Sequence, residues 1–226
     1  YTTDPQIDGM STLKIDTSLP LIKSKNMIKE TLTPKISFRI NPGNNMNNYS
    51  STSANINANN VFDINRLGIS NDFEAGRSLT FGLDYKFDQL ENIETEDLKD
   101  KYLELKLATV IRDQNENDIP ISSTISQKNS DLFGSINNRL FDNVNLTYDF
   151  SLDNDMKTIN SSSIETEVSI NNFITTFNFI EQRNEIGSNH LLSNVTEYQI
   201  NDSTSLKFST RRNKKINLTE YYDLSY

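Results

Sequence analysis

The chain contains no cysteine and no tryptophan. Without Cys there is no thiolate metal site, no thiol nucleophile and no disulfide within this stretch. Histidine is nearly missing too: His190 stands alone, which leaves imidazole catalysis one candidate and no His partner. Glycine (7) and proline (5) are scarce among the 226 residues. Long apolar runs are absent. No window approaches the roughly 18 uninterrupted apolar residues of a membrane helix, hydrophobic residues make up only 35% and mean hydropathy is −0.60. Positive charge is in deficit, with 22 Lys+Arg against 31 Asp+Glu and a formal charge of −9. Proteins that grip nucleic-acid phosphates carry a basic face, so nucleic acid is not an expected partner.

What is abundant is asparagine, with 31 residues, beside 9 Tyr and 12 Phe. A polar, Asn-rich chain is disordered unless its aromatic and β-branched residues are regularly placed. Here they alternate. Leu79, Phe81, Leu83, Tyr85 and Phe87 fall on one face, and Thr80, Gly82, Asp84 and Lys86 on the other, the period of two that marks a strand with one apolar face. The pattern returns at Val144–Leu152, Ile36–Ile40, Leu103–Ala108 and Ile164–Ile170. It returns once more from Ile216 to Tyr226, where Glu220 interrupts the apolar face. No segment carries a helical stripe; Leu90–Leu103 has too few apolar residues for one and reads as a charged turn.

Between these runs, short turns at Phe141–Asn143, Asn171–Asn172 and Asn201–Ser203 alternate with longer loops. The longer ones are Asn41 to Gly76, Arg112 to Ser130 and Gln182 to Asn189. Asn and Asp tolerate the left-handed backbone of tight hairpins and take the place of Gly here. The Asn41–Asn60 part of the first long loop is low in complexity and is expected to be mobile. The expected fold is all-β, an antiparallel up-and-down meander of about 12 strands of roughly ten residues. No crossover helices are available for a parallel sheet.

Such a meander closes either as a soluble barrel with its apolar face inward or as a membrane barrel with that face outward. Periodicity leaves both open. Three observations favour the membrane: charges of both signs on the polar face, strands long enough to cross when tilted, and alternation of short with long connections. Twelve such strands, half facing lipid, need only about 65 apolar side chains, which a content of 35% supplies. A general porin or transport barrel shares this architecture, and a soluble secreted β-protein binding carbohydrate or protein is the reading from another class.

Certain residues go further. Leu32-Thr33-Pro34-Lys35-Ile36-Ser37-Phe38-Arg39-Ile40-Asn41-Pro42-Gly43 leads into the long loop, followed by Asn59-Asn60-Val61-Phe62-Asp63-Ile64-Asn65-Arg66-Leu67. Then comes Glu74-Ala75-Gly76-Arg77-Ser78-Leu79-Thr80-Phe81-Gly82-Leu83-Asp84-Tyr85. This order, with Asp131–Ser135 and Leu146–Ser151 behind it, resembles the barrel of the lipopolysaccharide-assembly outer-membrane protein family LptD (OstA) in its alphaproteobacterial form, over roughly residues 11 to 226. The resemblance implies part of a transmembrane outer-membrane β-barrel in a Gram-negative bacterium, with no enzymatic activity and no cofactor. It also implies lipopolysaccharide as cargo, outer-membrane lipid around it, and the plug lipoprotein LptE as a partner. The periplasmic bridge protein LptA would be reached through an N-terminal domain that is not in this chain. Family members carry a signal peptide, a periplasmic jellyroll and about twice the strands available here, so residues 1–226 are expected to be a fragment of the C-terminal barrel, a single partial barrel domain. The family's lateral gate would then lie outside it.

With the Asn41–Gly76 loop taken as extracellular, parity makes Arg112–Ser130, Asp153–Asp155, Gln182–Asn189 and Asn213–Lys215 extracellular. Asp88–Asp100, Phe141–Asn143, Asn171–Asn172 and Asn201–Ser203 become periplasmic. Lys35, Arg39, Lys86, Lys106 and Lys207 are the candidate lumen contacts for lipopolysaccharide sugar or phosphate. Arg211, Arg212, Lys214 and Lys215 form a candidate extracellular basic cluster, since Arg pairs with phosphate through two parallel hydrogen bonds; for either set, simple hydration is the plainer alternative. Asp113–Asp118 has oxygen ligands but lacks the glycine and the distal Glu of a calcium loop, and Asp153-Asn154-Asp155 reads as a hairpin turn. No metal site and no catalytic residues are expected. His190 and Ser193 lack the acid of a triad, and Glu165 and Glu167 would need burial to work as a glycosidase pair.

Overall fold

A computed structural model describes residues 11–42, 55–68, 74–92, 97–183, 186, 188–201 and 203–226. These form one antiparallel sheet of twelve strands. They are β1 (Leu13–Ser18), β2 (Leu21–Lys25), β3 (Ile28–Asn41), β4 (Gly76–Asn92), β5 (Asp97–Arg112) and β6 (Leu132–Phe141), followed by β7 (Val144–Leu152), β8 (Ile159–Ile170), β9 (Phe173–Gln182), β10 (His190–Asn201), β11 (Thr204–Asn213) and β12 (Leu218–Ser225). From β3 onward each strand pairs with the next in sequence, and the sheet is not closed. A 3₁₀ turn at Ile121–Ser123 lies in the β5–β6 connection. Among the described residues no helix is long and apolar enough to cross a membrane. The expected meander is therefore the fold.

β1 and β2 are one strand in continuous register, because Ser18 pairs with Lys35 and Leu21 with Leu32. The Leu19 N–H donates to the Pro34 carbonyl at 3.1 Å, but Pro34 has no N–H to return. Half a rung is missing there. The next residue, Pro20, turns its nitrogen away from β3 in such a ladder, so its missing donor falls on the open edge, where proline is tolerated.

Connections at one end of the sheet are short, two residues at Asn26-Met27, Asp142-Asn143 and Asn171-Asn172 and four at 93–96. The connections after β3, β5, β7 and β9 are longer and lie at the other end, together with the four-residue connection after β11. Left-handed backbone at Asn26, Asn171 and Asn217 fits Asn as a turn former, yet Met27, Thr124 and Met156 also have positive φ. Asp202, within the Asn201–Ser203 turn, lies outside the described residues.

The charged turn expected over Leu90–Leu103 is mostly strand: β4 runs to Asn92 and β5 starts at Asp97, with 93–96 outside the described residues. Register shifts on either side of Leu90 break the period of two, which is why alternation fails to find it. Leu90 is buried, and its N–H donates to the Met27 carbonyl at 2.8 Å. The last strand begins at Leu218 rather than Ile216. Glu220 interrupts its pattern because it is the extra residue of a bulge, lying between the Arg211–Tyr221 and Arg212–Thr219 pairs.

Burial is inverted relative to a soluble sheet. Leu79, Phe81 and Leu83 are 40%, 38% and 41% exposed, while Ser78 and Thr80 between them are 3% exposed. The apolar core sits instead on the polar face, where loop residues Ile56, Val61, Leu67, Ile119 and Ile125 pack on Ala108, Val110 and Phe133 of the strands. A soluble shell would place its apolar face on that core; here the apolar face is open, as in a membrane barrel.

Candidate functional site

The polar face near the long-loop end is covered by two segments, 55–68 from the β3–β4 connection and 113–131 from the β5–β6 connection. The first is far from a loose loop in its described part, while 43–54 lie outside the described residues. Asn57 Oδ1 accepts the N–H groups of Asn59 (2.9 Å) and Asn60 (3.2 Å), and Asn60 Oδ1 accepts the Asn57 N–H at 2.9 Å. These Asn side chains supply the local backbone bonds that a helix or strand otherwise would. The second segment runs back along β5: the Arg112 N–H donates to the Lys128 carbonyl at 2.8 Å and the Ser130 N–H to that of Val110 at 2.9 Å.

Both segments are tied to the sheet by a buried hub of three arginines around one carboxylate. Arg39 comes from β3, Arg66 from the first cover segment, Arg112 from the end of β5, and Glu74 from the approach to β4. Glu74 Oε2 accepts Arg39 Nη1 at 3.1 Å and Arg66 Nε at 2.5 Å, and Oε1 accepts Nη2 of both Arg66 and Arg112. The remaining guanidinium N–H groups spread outward. Arg66 donates to the Val61 carbonyl (3.1 Å), Thr80 (3.0 Å) and Ser78 (3.1 Å). Arg39 donates to the carbonyls of Ile64 (3.0 Å) and Asp63, and Arg112 to those of Ala75 (3.1 Å) and Ile125.

Charges this deeply buried persist only when paired and hydrogen-bonded. Burial pushes the Arg66 guanidinium down to about 9, so it stays protonated at neutral pH. Phe62 adds an apolar contact. Its ring lies where a side chain on Gly82 would be, 2.6 Å from an added Cβ, and Lys35 Nζ sits 5.7 Å from its centroid.

The register places all five candidate lumen residues on this polar face. Four of them are engaged there: Lys35 with Asp84, Lys86 with Asp88 at 2.8 Å, Lys106 with Glu104 at 3.1 Å and Asn59 at 3.0 Å, and Arg39 in the hub. Lys207 is exposed and lies opposite Glu197. The basic cluster sits at the β11–β12 hairpin. Arg211 faces the polar side and reaches Glu220 at 2.9 Å, Arg212 faces the apolar side and bonds Asn217, and Lys214 and Lys215 are exposed in the turn.

Glu165 is exposed and Glu167 half-buried, and they accept from Asn178 (3.1 Å) and Asn145 (3.2 Å), respectively. His190 packs edge-on against Phe179, centroids 5.4 Å apart, with Glu181 at 3.9 Å. Among the described residues, no three His, Cys, Asp or Glu side chains converge to hold a metal. Sequence reasoning missed the hub. Arg66 and Glu74 stood inside the stretches that carry the resemblance, and the only further signal was an Arg on the polar face at the ends of β3 and β5.

Compared with known proteins, the chain matches the family model described as LptD, LPS transport system D, over residues 6–217, and it belongs to that family. No curated protein matches it.

Proposed function

We propose, from membership of the LPS transport system D family, that this chain is part of the wall of the outer-membrane barrel that inserts lipopolysaccharide into the outer leaflet. The observation that carries the reading is the inverted burial: apolar side chains stand outward while Ser, Thr and Arg are buried. That arrangement suits hydrocarbon outside and a polar passage inside. Further strands close the sheet along its two open edges, and the cover segments lie at the extracellular end, where such barrels keep their longer loops. Lys35, Lys86, Lys106 and Lys207 face the sugars and phosphates of the cargo, and Arg211, Arg212, Lys214 and Lys215 meet phosphates at the outer leaflet. The plug lipoprotein LptE within the lumen and the bridge protein LptA at the periplasmic side complete the set of partners.

The test is photo-crosslinking in cells with the full-length parent, with the reactive side chain at Lys106 or at neighbouring Leu107. Lipopolysaccharide adducts at 106 and bulk-lipid adducts at 107 are expected; the reverse pattern sinks the reading. Orientation is checked separately by surface proteolysis of intact cells. Cleavage at exposed Lys157 in the β7–β8 turn and none within 88–100 is expected, and the opposite result inverts the hairpins.

A further inference from the structure

At the long-loop end of β3, β4 and β5 lies a groove of about 390 Å³, lined by Phe38, Leu79, Ile111, Arg77 and Asp113 among others. Its apolar part follows from register. Phe38 pairs with Leu79 and Leu79 with Ile111, so the three side chains stand abreast on the apolar face of neighbouring strands. None is closed off: Phe38 is half-buried, and Leu79 and Ile111 are exposed. On the far flank the β5–β6 ladder stops at Ala108–Phe133. Beyond it, β5 is bordered by the returning cover segment through the Ile111–Asn129 bridge.

Two residues further along β4 the same face carries a charge. Arg77 Nη2 meets Asp113 Oδ2 at 2.5 Å, and the two side chains are 64% and 40% exposed. An exposed pair of this kind contributes little to stability. A guanidinium has five N–H donors, more than one carboxylate oxygen uses, so Arg77 has capacity for a second anion. A cation on the lipid side of a barrel costs little only near the interface, the depth at which lipid phosphates lie. Arg suits that anion better than Lys, because it binds phosphate through two parallel hydrogen bonds. Arginine at the head of an apolar groove matches a molecule with an anionic head and a hydrocarbon tail.

We propose that this groove seats one acyl chain of a phosphate-terminated lipid of the surrounding leaflet, with Arg77, steadied by Asp113, pairing the lipid's phosphate. The occupant is a lipid rather than free phosphate because the apolar row Phe38–Leu79–Ile111 continues from the guanidinium. The inference rests on the reading of the apolar face as lipid-facing, and its test separates the two.

The full-length parent, with a photoreactive side chain in place of Ile111, is reconstituted into phosphatidylcholine vesicles containing a minor share of phosphatidic acid, whose phosphate is a bare monoester. Lipid adducts are identified by mass. Phosphatidic acid is expected among them at about tenfold its share of the membrane, the factor a charge-assisted pair supplies. The same side chain in place of Leu107, on the apolar face four residues from the groove, is expected to capture lipids in proportion to their share. Arg77→Gln abolishes the enrichment at 111, and Arg77→Lys, which keeps the charge without the paired bonds, loses most of it. The comparison of 111 with 107 needs no Arg77 variant and stands even if those variants fail to assemble. Equal capture at both positions, or enrichment that survives Arg77→Gln, overturns the proposal and leaves the apolar face against lipid. Absence of lipid adducts at both positions overturns the lipid-facing reading itself, and the proposal with it.

Discussion

Glu74 is the residue on which most depends. It is the shared acceptor of three guanidiniums, all of them buried with it. Its removal leaves three cations in a low-dielectric pocket with only carbonyls and hydroxyls for company, and breaking a buried ion pair from one side costs about 3–5 kcal/mol. Glu74→Gln is therefore expected to lower the thermal midpoint and to speed trypsin cleavage at Lys128 in the second cover segment. An unchanged midpoint together with unchanged cleavage would show that the hub does not hold the cover.

Gly82 makes a smaller, steric version of the same point. Any Cβ there meets the Phe62 ring, so Gly82→Ala displaces the ring from β4 and costs about 1–3 kcal/mol, the usual penalty for overpacking. Equal stability of this variant by chemical denaturation counts against Phe62 as an anchor.

Hairpins show best what was readable in advance. β4 and β7 alternate cleanly because each has one continuous apolar face, and the Asn-containing turns between strands follow from Asn's tolerance of left-handed backbone. β9 and β10 were hidden because polar residues sit on their apolar face: Thr175 and Thr196 bond at 2.8 Å, and Asn194 bonds Thr175 at 3.0 Å. These groups satisfy one another across strands, which no single-strand period can reveal. Ile180, Leu191 and Val195, on the polar face, blur the pattern from the other side. The site was legible only in part for a related reason. Alternation gives the face of Lys35 or Arg39, but it cannot show that Glu74 and Arg66 arrive from a loop to meet them.

Two substitutions follow at this scale. Met27 occupies a left-handed position, φ 63°, in a two-residue turn that favours glycine. Met27→Gly should stabilise the β2–β3 hairpin by about 0.5–1 kcal/mol, read as a higher unfolding midpoint; a lower one refutes the strain argument. Pro34→Val supplies the absent N–H opposite Leu19 and is worth about 0.5–1.5 kcal/mol. Slower amide exchange along β1–β3 would show it, and unaltered exchange would mean that the rung matters little.

For the molecule as a whole, the decisive contrast is between neighbouring positions on opposite faces. Leu83→Arg puts a charge on the apolar face and should cost about 2–4 kcal/mol in a bilayer if it lies near the midplane. Thr147→Lys, on the polar face, should cost little. Comparing the fraction of folded protein in outer membranes for the two variants checks this, and equal yields would argue against lipid on the apolar side.

The hub also dictates an order in time. The contacts of Glu74 reach 35 residues to Arg39 and 38 to Arg112, about as far as the nearest β3–β4 pair, Asn41–Gly76, whereas the β4–β5 ladder starts at Asn92–Asp97. Chain-closure entropy makes near contacts form before distant ones, so β4 and β5 pair first, and β3 docks as the three arginines converge. Closure of the cover thus reports that β3 has joined the sheet. In a pulse-chase experiment, trypsin resistance at Lys128 should appear after β4 and β5 have paired; resistance appearing first would reverse the sequence. A polar face assembled this way stays uncovered until the sheet beneath it is built.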